Sequence, residues 1–236
     1  LKLLRDESPD YLAVVFDKSG KSFRNDLYAD YKANRPPTPQ DLAPQFPVVR
    51  EVTRALNIPA LELENYEADD IIATLATRAL ECDVRTVVVT SDKDLMQLVV
   101  SERCSLLDTM KDAHYDPDGV KEKMGVFPHQ IVDYLALLGD SVDNIPGVPG
   151  IGKKTAATLL ADYGSLQGIY DHIDELRGKR RENLETNKEQ AFLAQQLATV
   201  DRDVPLYIEL SEMALQEPDK RALTQLFAKH GFKSLH

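Results

Sequence analysis

Apolar positions along this chain follow two rhythms. In the first half, short apolar runs alternate with amphipathic stretches. Tyr11 to Phe16 (YLAVVF) reads as a buried strand ending at Asp17, Ala60 to Leu63 as a second, Val84 to Thr90 (VRTVVVT) as a third and Cys104 to Leu107 as a fourth. Between them, Asp41 to Leu56 repeats apolar residues at helical spacing through Phe46, Val49, Val52 and Leu56. Glu67 to Leu80 lines Ile71, Ile72, Leu75, Ala76 and Ala79 along one stripe, and Asp92 to Val100 reads as a short helix. Strands alternating with helices predict an α/β fold with a mostly parallel, doubly wound sheet. Sites in such sheets gather beyond the carboxyl ends of the strands.

From about Asp116 the strand rhythm fades. Asp116 and Pro117 open a helix as N-cap and first helical residue, and Pro128 to Leu138 forms another. A loop rich in Gly and Pro follows, then a helix over Ala156 to Tyr163 and a longer one from roughly Arg181 to Val200. The expected division is an α/β core over residues 1–120 and a helical part over 121–236, packed as one unit without a flexible linker. The chain opens in what reads as a running helix (Leu1, Leu3, Leu4).

Composition narrows the class. With 43% apolar and 28% charged residues, the 236-residue chain is that of a globular protein. Its apolar runs are too short to cross a bilayer, so no membrane partner is expected. Cys82 and Cys104 have no metal-ligand spacing, and the five histidines are scattered, which argues against a zinc site and for a reducing, cytoplasmic setting. The net charge of −11 argues by itself against nucleic acid. Its distribution argues the other way.

Eight acids fall in four clusters: Asp17 after the first strand; Glu67, Asp69 and Asp70 at a helix start; Asp92 and Asp94 after VRTVVVT; and Asp140 and Asp143 after an apolar helix. Each cluster ends a strand or bounds a helix, so all four are expected to converge at one edge of the sheet. Mg²⁺ and Mn²⁺ choose oxygen ligands, and two such ions can activate water and stabilise the leaving oxygen of a phosphodiester. A simpler reading exists for each cluster alone. Acids at a helix start stabilise its dipole, and Ser91 to Asp94 fits a capping pattern. Asp140 and Asp143 resist that reading, because acids oppose the dipole at a helix C-terminus.

Residues 149–156, Pro-Gly-Ile-Gly-Lys-Lys-Thr-Ala, form a second constellation. Gly150 and Gly152 let backbone N–H groups approach a phosphate, the following helix N-terminus adds partial positive charge, and Lys153 and Lys154, with Thr155, add contacts that do not read sequence. The plainer alternative is an ordinary Gly/Pro loop. A third constellation spans about 18–40. Lys21, Phe23, Arg24, Tyr28, Tyr31, Lys32 and Arg35 form a basic, aromatic segment suited to closing over single-stranded DNA, with the aromatics available for stacking and Lys32 or Arg35 for charge on a scissile phosphate. A solvated amphipathic helix competes with this reading.

The stretches VVFDKSGKSFR, YKANRPPTP, YEADDIIATLA, VTSDKDLMQLV, LLGDSVDNIPGVPGIGKKTAATLL and LFAKHGFKSL, in this order, resemble the bacterial 5′-nuclease and flap endonuclease family over nearly the whole chain. The resemblance implies structure-specific 5′-3′ exonuclease or flap endonuclease activity in replication and repair, near the nucleoid, by a monomer. It implies a PIN-like core with a helical arch and a helix-hairpin-helix at 139–163. It assigns two Mg²⁺ or Mn²⁺ ions to the eight acids, Lys32, Arg35 and Arg24 to the arch that threads or clamps the 5′ strand, and a K⁺ ion to main-chain oxygens of the hairpin. Its implied partners are DNA with a 5′ flap or branched duplex junction, and RNA–DNA hybrid.

The family pattern begins with a further strand ending in a metal-binding Asp, and nothing ahead of Tyr11 resembles it. The chain is therefore expected to start tens of residues into the pattern. That leaves a rival, a non-catalytic duplex-DNA-binding module that keeps the hairpin. A nuclease acting on RNA, using clustered acids without the hairpin, is a second rival. A phosphotransferase fits poorly, for no P-loop is present.

Overall fold

The computed structural model describes residues 2–18 and 20–232. Leu1 of the opening helix, Ser19, and the end of the LFAKHGFKSL stretch with His236 lie outside the described residues. In chain order the elements are α1 (Lys2–Glu7), β1 (Val14–Val15), α2 (Arg24–Leu27), α3 (Gln45–Ala55), β2 (Ala60–Leu61), α4 (Ala68–Glu81), β3 (Thr86–Val89), β4 (Cys104–Asp108) and β5 (Ala113–Tyr115). There follow α5 (Pro117–Met124), α6 (Ile131–Leu138), α7 (Lys153–Tyr163), α8 (Leu166–Asp171), α9 (Gly178–Thr186), α10 (Lys188–Ala198) and α11 (Lys220–His230). Among the described residues no helix is long and apolar enough to cross a membrane.

The fold is mixed α/β, but the expected doubly wound sheet is replaced, among the described residues, by two small ones. β1 pairs with β2 in parallel, β3 pairs with β4 in parallel, and β5 adds antiparallel to β4. The run YLAVVF narrows to two strand residues, with positions 12–16 half-buried. β5 is antiparallel because a tight turn precedes it, too short for the crossover a parallel partner needs. Asp108 builds that turn by accepting the Met110 N–H at 3.1 Å, and Asp112 adopts φ +51°.

By compactness the chain divides into two units. One comprises Leu1–Gly20, Pro36–Ile71 and Pro205–His236; the other comprises Lys21–Arg35 and Ile72–Val204. In the first, α3 packs on α11 through Ala55, Leu223 and Phe227. In the second, α6 is apolar nearly all round. Leu135 and Leu137 of α6 share a core with Leu159 and Leu160 of α7, Leu166 of α8 and Ala194 of α10.

Local signals held where capping chemistry was explicit. Asp116 accepts the Gly119 N–H at 2.7 Å with Pro117 in the first turn, and Gly125 ends α5 at φ +80°. The expected helix from Arg181 to Val200 is instead two, α9 and α10, broken at Asn187. There φ is −109° and the side-chain Nδ2 donates to the Asn183 carbonyl at 2.7 Å. Asn competes with the helix for backbone partners in this way. The helix expected over 92–100 is a 3₁₀ turn over Asp94–Leu98; Thr90 and Asp92, rather than Ser91, accept its leading N–H groups.

Candidate functional site

Four of the eight acids lie in the first unit. Asp17 Oδ1 accepts the Ala68 N–H at 2.8 Å, and its carbonyl accepts Arg50 Nη2 at 3.2 Å. Asp70 is fully buried, and its Oδ2 accepts the Glu67 N–H at 3.1 Å. Both acids satisfy donors at the start of α4, which is capping chemistry. Glu67 and Asp69 are half-buried in the same turn.

The other four lie in the second unit, and one lysine, Lys93, joins two of them. Asp92 Oδ1 accepts the Asp94 N–H at 2.9 Å. Asp140 follows Gly139, whose φ of +72° turns the chain out of α6. Asp140 exchanges both backbone bonds with Ile145, at 2.8 and 2.7 Å, and its Oδ1 accepts the Val142 N–H at 2.7 Å and the Asp143 N–H at 3.3 Å. Its Oδ2 accepts Lys93 Nζ, which also stands 3.1 Å from Asp94 Oδ1. The latter contact is an ion pair without hydrogen-bond geometry, for Asp94 Oδ1 is buried and accepts no hydrogen bond.

These neighbours set the protonation. Burial pushes the Asp94 carboxyl up from 3.8 to about 6; Lys93 opposes this, and Asp92 and Asp140 reinforce it. Burial acts in the same sense on Asp140, but the hydrogen bond and charge of Lys93, with the Val142 and Asp143 N–H groups, outweigh it and hold that carboxyl below its ordinary value. For Lys93, burial lowers the pKa, and Asp140 and Asp94 reverse that to leave it raised.

The segment 21–35 docks on the loop carrying Asp143. Arg35 Nη2 lies 2.5 Å from Asp143 Oδ1, Lys32 Nζ 3.6 Å and the Tyr31 hydroxyl 3.3 Å from Oδ2. Asn34 Nδ2 donates to the Ser141 carbonyl and Asn144 Nδ2 to the Asp30 carbonyl, each at 2.7 Å. Lys32 adopts φ +58°, and its N–H donates to the Asp143 carbonyl. Lys21 is exposed.

Two assignments in this segment need correction. Arg24 is only 2% exposed; its Nε donates to the Leu197 carbonyl and its Nη2 to the Thr199 carbonyl, both at 2.8 Å. The guanidinium caps the carboxyl end of α10, where orphan carbonyls favour a cation, so it is not placed to meet a scissile phosphate. Tyr31 is 4% exposed in the core and so presents no face for base stacking, while Tyr28 is half-buried against that core.

Gly150 has φ +78°, Ile151 is buried beneath, and Gly152 is the N-cap of α7 without a side-chain cap. By helix geometry the N–H groups of Lys153, Lys154 and Thr155 have no intrahelical acceptor. The two lysines are exposed and Thr155 half-buried. Sequence reasoning missed what stands behind the turn: Asn183 Nδ2 donates to the Pro149 carbonyl and Gln190 Nε2 to the Gly147 carbonyl, both at 2.7 Å. Side-chain amides inside helices carry no signature. It also missed the run Arg177, Lys179, Arg180, Arg181 at the start of α9, which a count of basic residues would have found.

Among the described residues no three His, Cys, Asp or Glu side chains stand close enough together to hold a metal ion. In the second unit Asp94, Asp140 and Asp143 turn instead to Lys93, Lys32 and Arg35. Donor chemistry nonetheless suits a hard cation: Asp94 and Asp140 already share one ammonium, and Asp94 keeps a buried oxygen without a hydrogen bond.

A family model described as 5′-3′ exonuclease, N-terminal resolvase-like domain, matches residues 1–125, and one described as 5′-3′ exonuclease, C-terminal SAM fold, matches residues 126–221. DNA polymerase I of Caldicellulosiruptor bescii is 43% identical over 240 residues, covering 100% of this chain and 28% of that protein. The chain thus spans little more than a quarter of this curated relative. Among solved structures, a T5 5′-exonuclease with bound divalent zinc ions has a TM-score of 0.71 at 24% identity, covering 97% of this chain and 86% of that one. A bacteriophage T5 flap endonuclease complex with DNA and metal ions has a TM-score of 0.72 at 24% identity, covering 84% and 76%. At that identity these two share the fold.

Proposed function

The chain belongs to the 5′-3′ exonuclease family, and on that premise we propose that it hydrolyses DNA phosphodiesters near a 5′ end or flap junction with divalent cations held by its carboxylates. The observation that carries the reading lies within the second unit. The loop that holds Asp140 and Asp143 runs directly into the glycine hairpin and the exposed Lys153 and Lys154. A carboxylate site and a phosphate grip therefore share one short connection.

When bound, Mg²⁺ or Mn²⁺ lowers the pKa of a water and neutralises charge on the scissile phosphate. Asp92, Asp94, Asp140 and Asp143 would be ligands in the second unit, and Asp17, Glu67, Asp69 and Asp70 in the first. Lys32 and Arg35, held on Asp143, would meet phosphate oxygens. Gly150, Gly152, Lys153, Lys154 and Thr155 would bind duplex backbone without reading sequence. Lys179 lies one helical turn before Asn183, on the face of α9 that meets the hairpin, and would extend that basic surface. A K⁺ ion at the hairpin would have main-chain oxygens to share, because those of Gly147, Val148 and Pro149 already accept N–H donors.

A second reading, a duplex-binding module without catalysis, is favoured by the pairing of Asp94, Asp140 and Asp143 with Lys93, Lys32 and Arg35 within the second unit. Cleavage of 5′-flap DNA in Mg²⁺ separates the two. Wild-type protein should cut, and Asp92→Asn and Lys32→Ala should lose at least about 100-fold in rate while retaining DNA affinity in Ca²⁺. Intact binding with no wild-type cleavage would favour the module.

A further inference from the structure

Two side-chain amides stand behind the hairpin, and their geometry suggests a task. Gly147 and Pro149 lie on either side of Val148, whose side chain is 3% exposed and whose N–H donates to the Leu137 carbonyl at 2.8 Å. Gln190 of α10 holds the Gly147 carbonyl, and Asn183 of α9 holds the Pro149 carbonyl. A trans peptide is planar, with its C=O and N–H pointing to opposite sides. The peptide joining Gly147 to Val148 is therefore fixed at both ends, by Gln190 on one side and Leu137 on the other. In the next fixed peptide, the Pro149 carbonyl turns toward α9, so the Gly150 N–H turns away from it, on the exposed face of the hairpin.

Asn183 also explains the glycine beside it. A Cβ on Gly150 would stand 3.0 Å from Asn183 Nδ2, and the φ of +78° already disfavours a side chain. The break at Asn187 matters as well. Positions 183 and 190 in one continuous helix would be about 10.5 Å apart along its axis. Carbonyls two residues apart are separated by at most about 7 Å. The break at Asn187 places the two amides on separate helices, α9 and α10.

We propose that Asn183 and Gln190 are positioning residues for phosphate binding: by holding the Pro149 and Gly147 carbonyls from behind, they preset the Gly150 N–H and the open N-terminus of α7 to receive a DNA backbone phosphate. The inference rests on the reading of the hairpin as a phosphate grip. A preset grip avoids ordering the loop on binding, so loss of the amides shows as weaker association.

The test uses the near-isosteric exchanges Asn183→Leu and Gln190→Met, which keep approximate shape and remove the donor without adding charge, singly and together. Binding of fluorescent 5′-flap duplex is followed by anisotropy in Ca²⁺ over a salt series, beside melting curves. Each single variant should weaken binding about 5-fold or more and the double about 30-fold. The salt slope should flatten by about one contact, with cleavage rate at saturating DNA nearly unchanged. The asparagine-to-glutamine exchange, Asn183→Gln, retains a donor and should recover part of the loss. Lys153→Ala/Lys154→Ala serves as the reference. If that variant binds like wild type, the phosphate grip itself is wrong. If it weakens binding while the folded amide variants keep wild-type affinity and slope, the positioning role is overturned. Should the double variant fail to fold, the single variants decide by the same criteria.

Discussion

Replacing Arg24 with Met separates two roles that the sequence ran together. The substitution keeps an unbranched apolar stem and removes the guanidinium. In the native protein that group is 2% exposed and donates to the Leu197 and Thr199 carbonyls at 2.8 Å. Each buried acceptor left without its donor costs about 1–3 kcal/mol. Leu197 is buried, but Thr199 is exposed and its carbonyl can recover a water, so the expected loss lies near the middle, at about 3 kcal/mol. For a chain of this length, 1 kcal/mol shifts the melting midpoint by roughly 2–4 °C. Arg24→Met should therefore melt about 6–12 °C lower. Its flap-cleavage rate per folded molecule, measured well below that midpoint, should stay within about 3-fold of wild type. Lys32→Ala should show the converse, because Lys32 pairs with Asp143 at 3.6 Å in a partly solvated contact and exposed pairs contribute about 1 kcal/mol or less. A melting point within 2 °C of wild type together with a 100-fold slower cut would show that Arg24 meets the phosphate after all.

Asp94 predicts a pH response of defined sign. Its folded pKa of about 6 lies above its ordinary 3.8, so the folded chain binds a proton that the unfolded chain has lost across that window. Stability in EDTA should fall as pH rises from 4 to 6, by up to about 3 kcal/mol. Asp94→Asn should flatten that decline in urea titrations, and an unchanged profile would refute the cause. The glycines of the 139–152 loop should divide sharply. A Cβ on Gly139 would stand 2.4 Å from the Gly147 nitrogen at φ +72°, so Gly139→Ala should cost about 3–5 kcal/mol of unfolding free energy. A Cβ on Gly152 meets nothing within 4 Å. Gly152→Ala should therefore melt near wild type yet bind duplex DNA more weakly.

Features that depend on local chemistry could be read directly from the chain. Asp116-Pro117 and Gly125 bound α5 because a carboxylate cap, a preset φ and a left-handed terminus act within a few residues. Sheet extent was not legible. YLAVVF has the composition of a full strand, yet Val14 and Val15 pair with Ala60 and Leu61 while Tyr11 bridges separately to Ala214, so partners elsewhere in the chain divide the run. Arg24 and Tyr31 looked like surface chemistry in a basic, aromatic segment. Whether such side chains face solvent depends on which elements pack over them, here the end of α10 and the core of the second unit.

The acids of the second unit show why clustered charge alone is an ambiguous signal. Carboxylates gathered without compensation would repel, and low local dielectric would raise their pKa values. Asp140 escapes this through two backbone N–H groups and Lys93, whereas at Asp94 burial outweighs the same lysine and leaves the carboxyl raised to about 6. Asp143 pairs with Arg35 and Lys32. The chain thus carries its own counter-cations, on the very side chains suited to meeting phosphate. A divalent cation entering at these carboxylates would compete with Lys93, Lys32 and Arg35, and a cation so displaced becomes available to an anionic substrate. Charge balance within the second unit therefore couples the two kinds of ligand, since by linkage whatever frees those cations for DNA must be favoured by DNA in return.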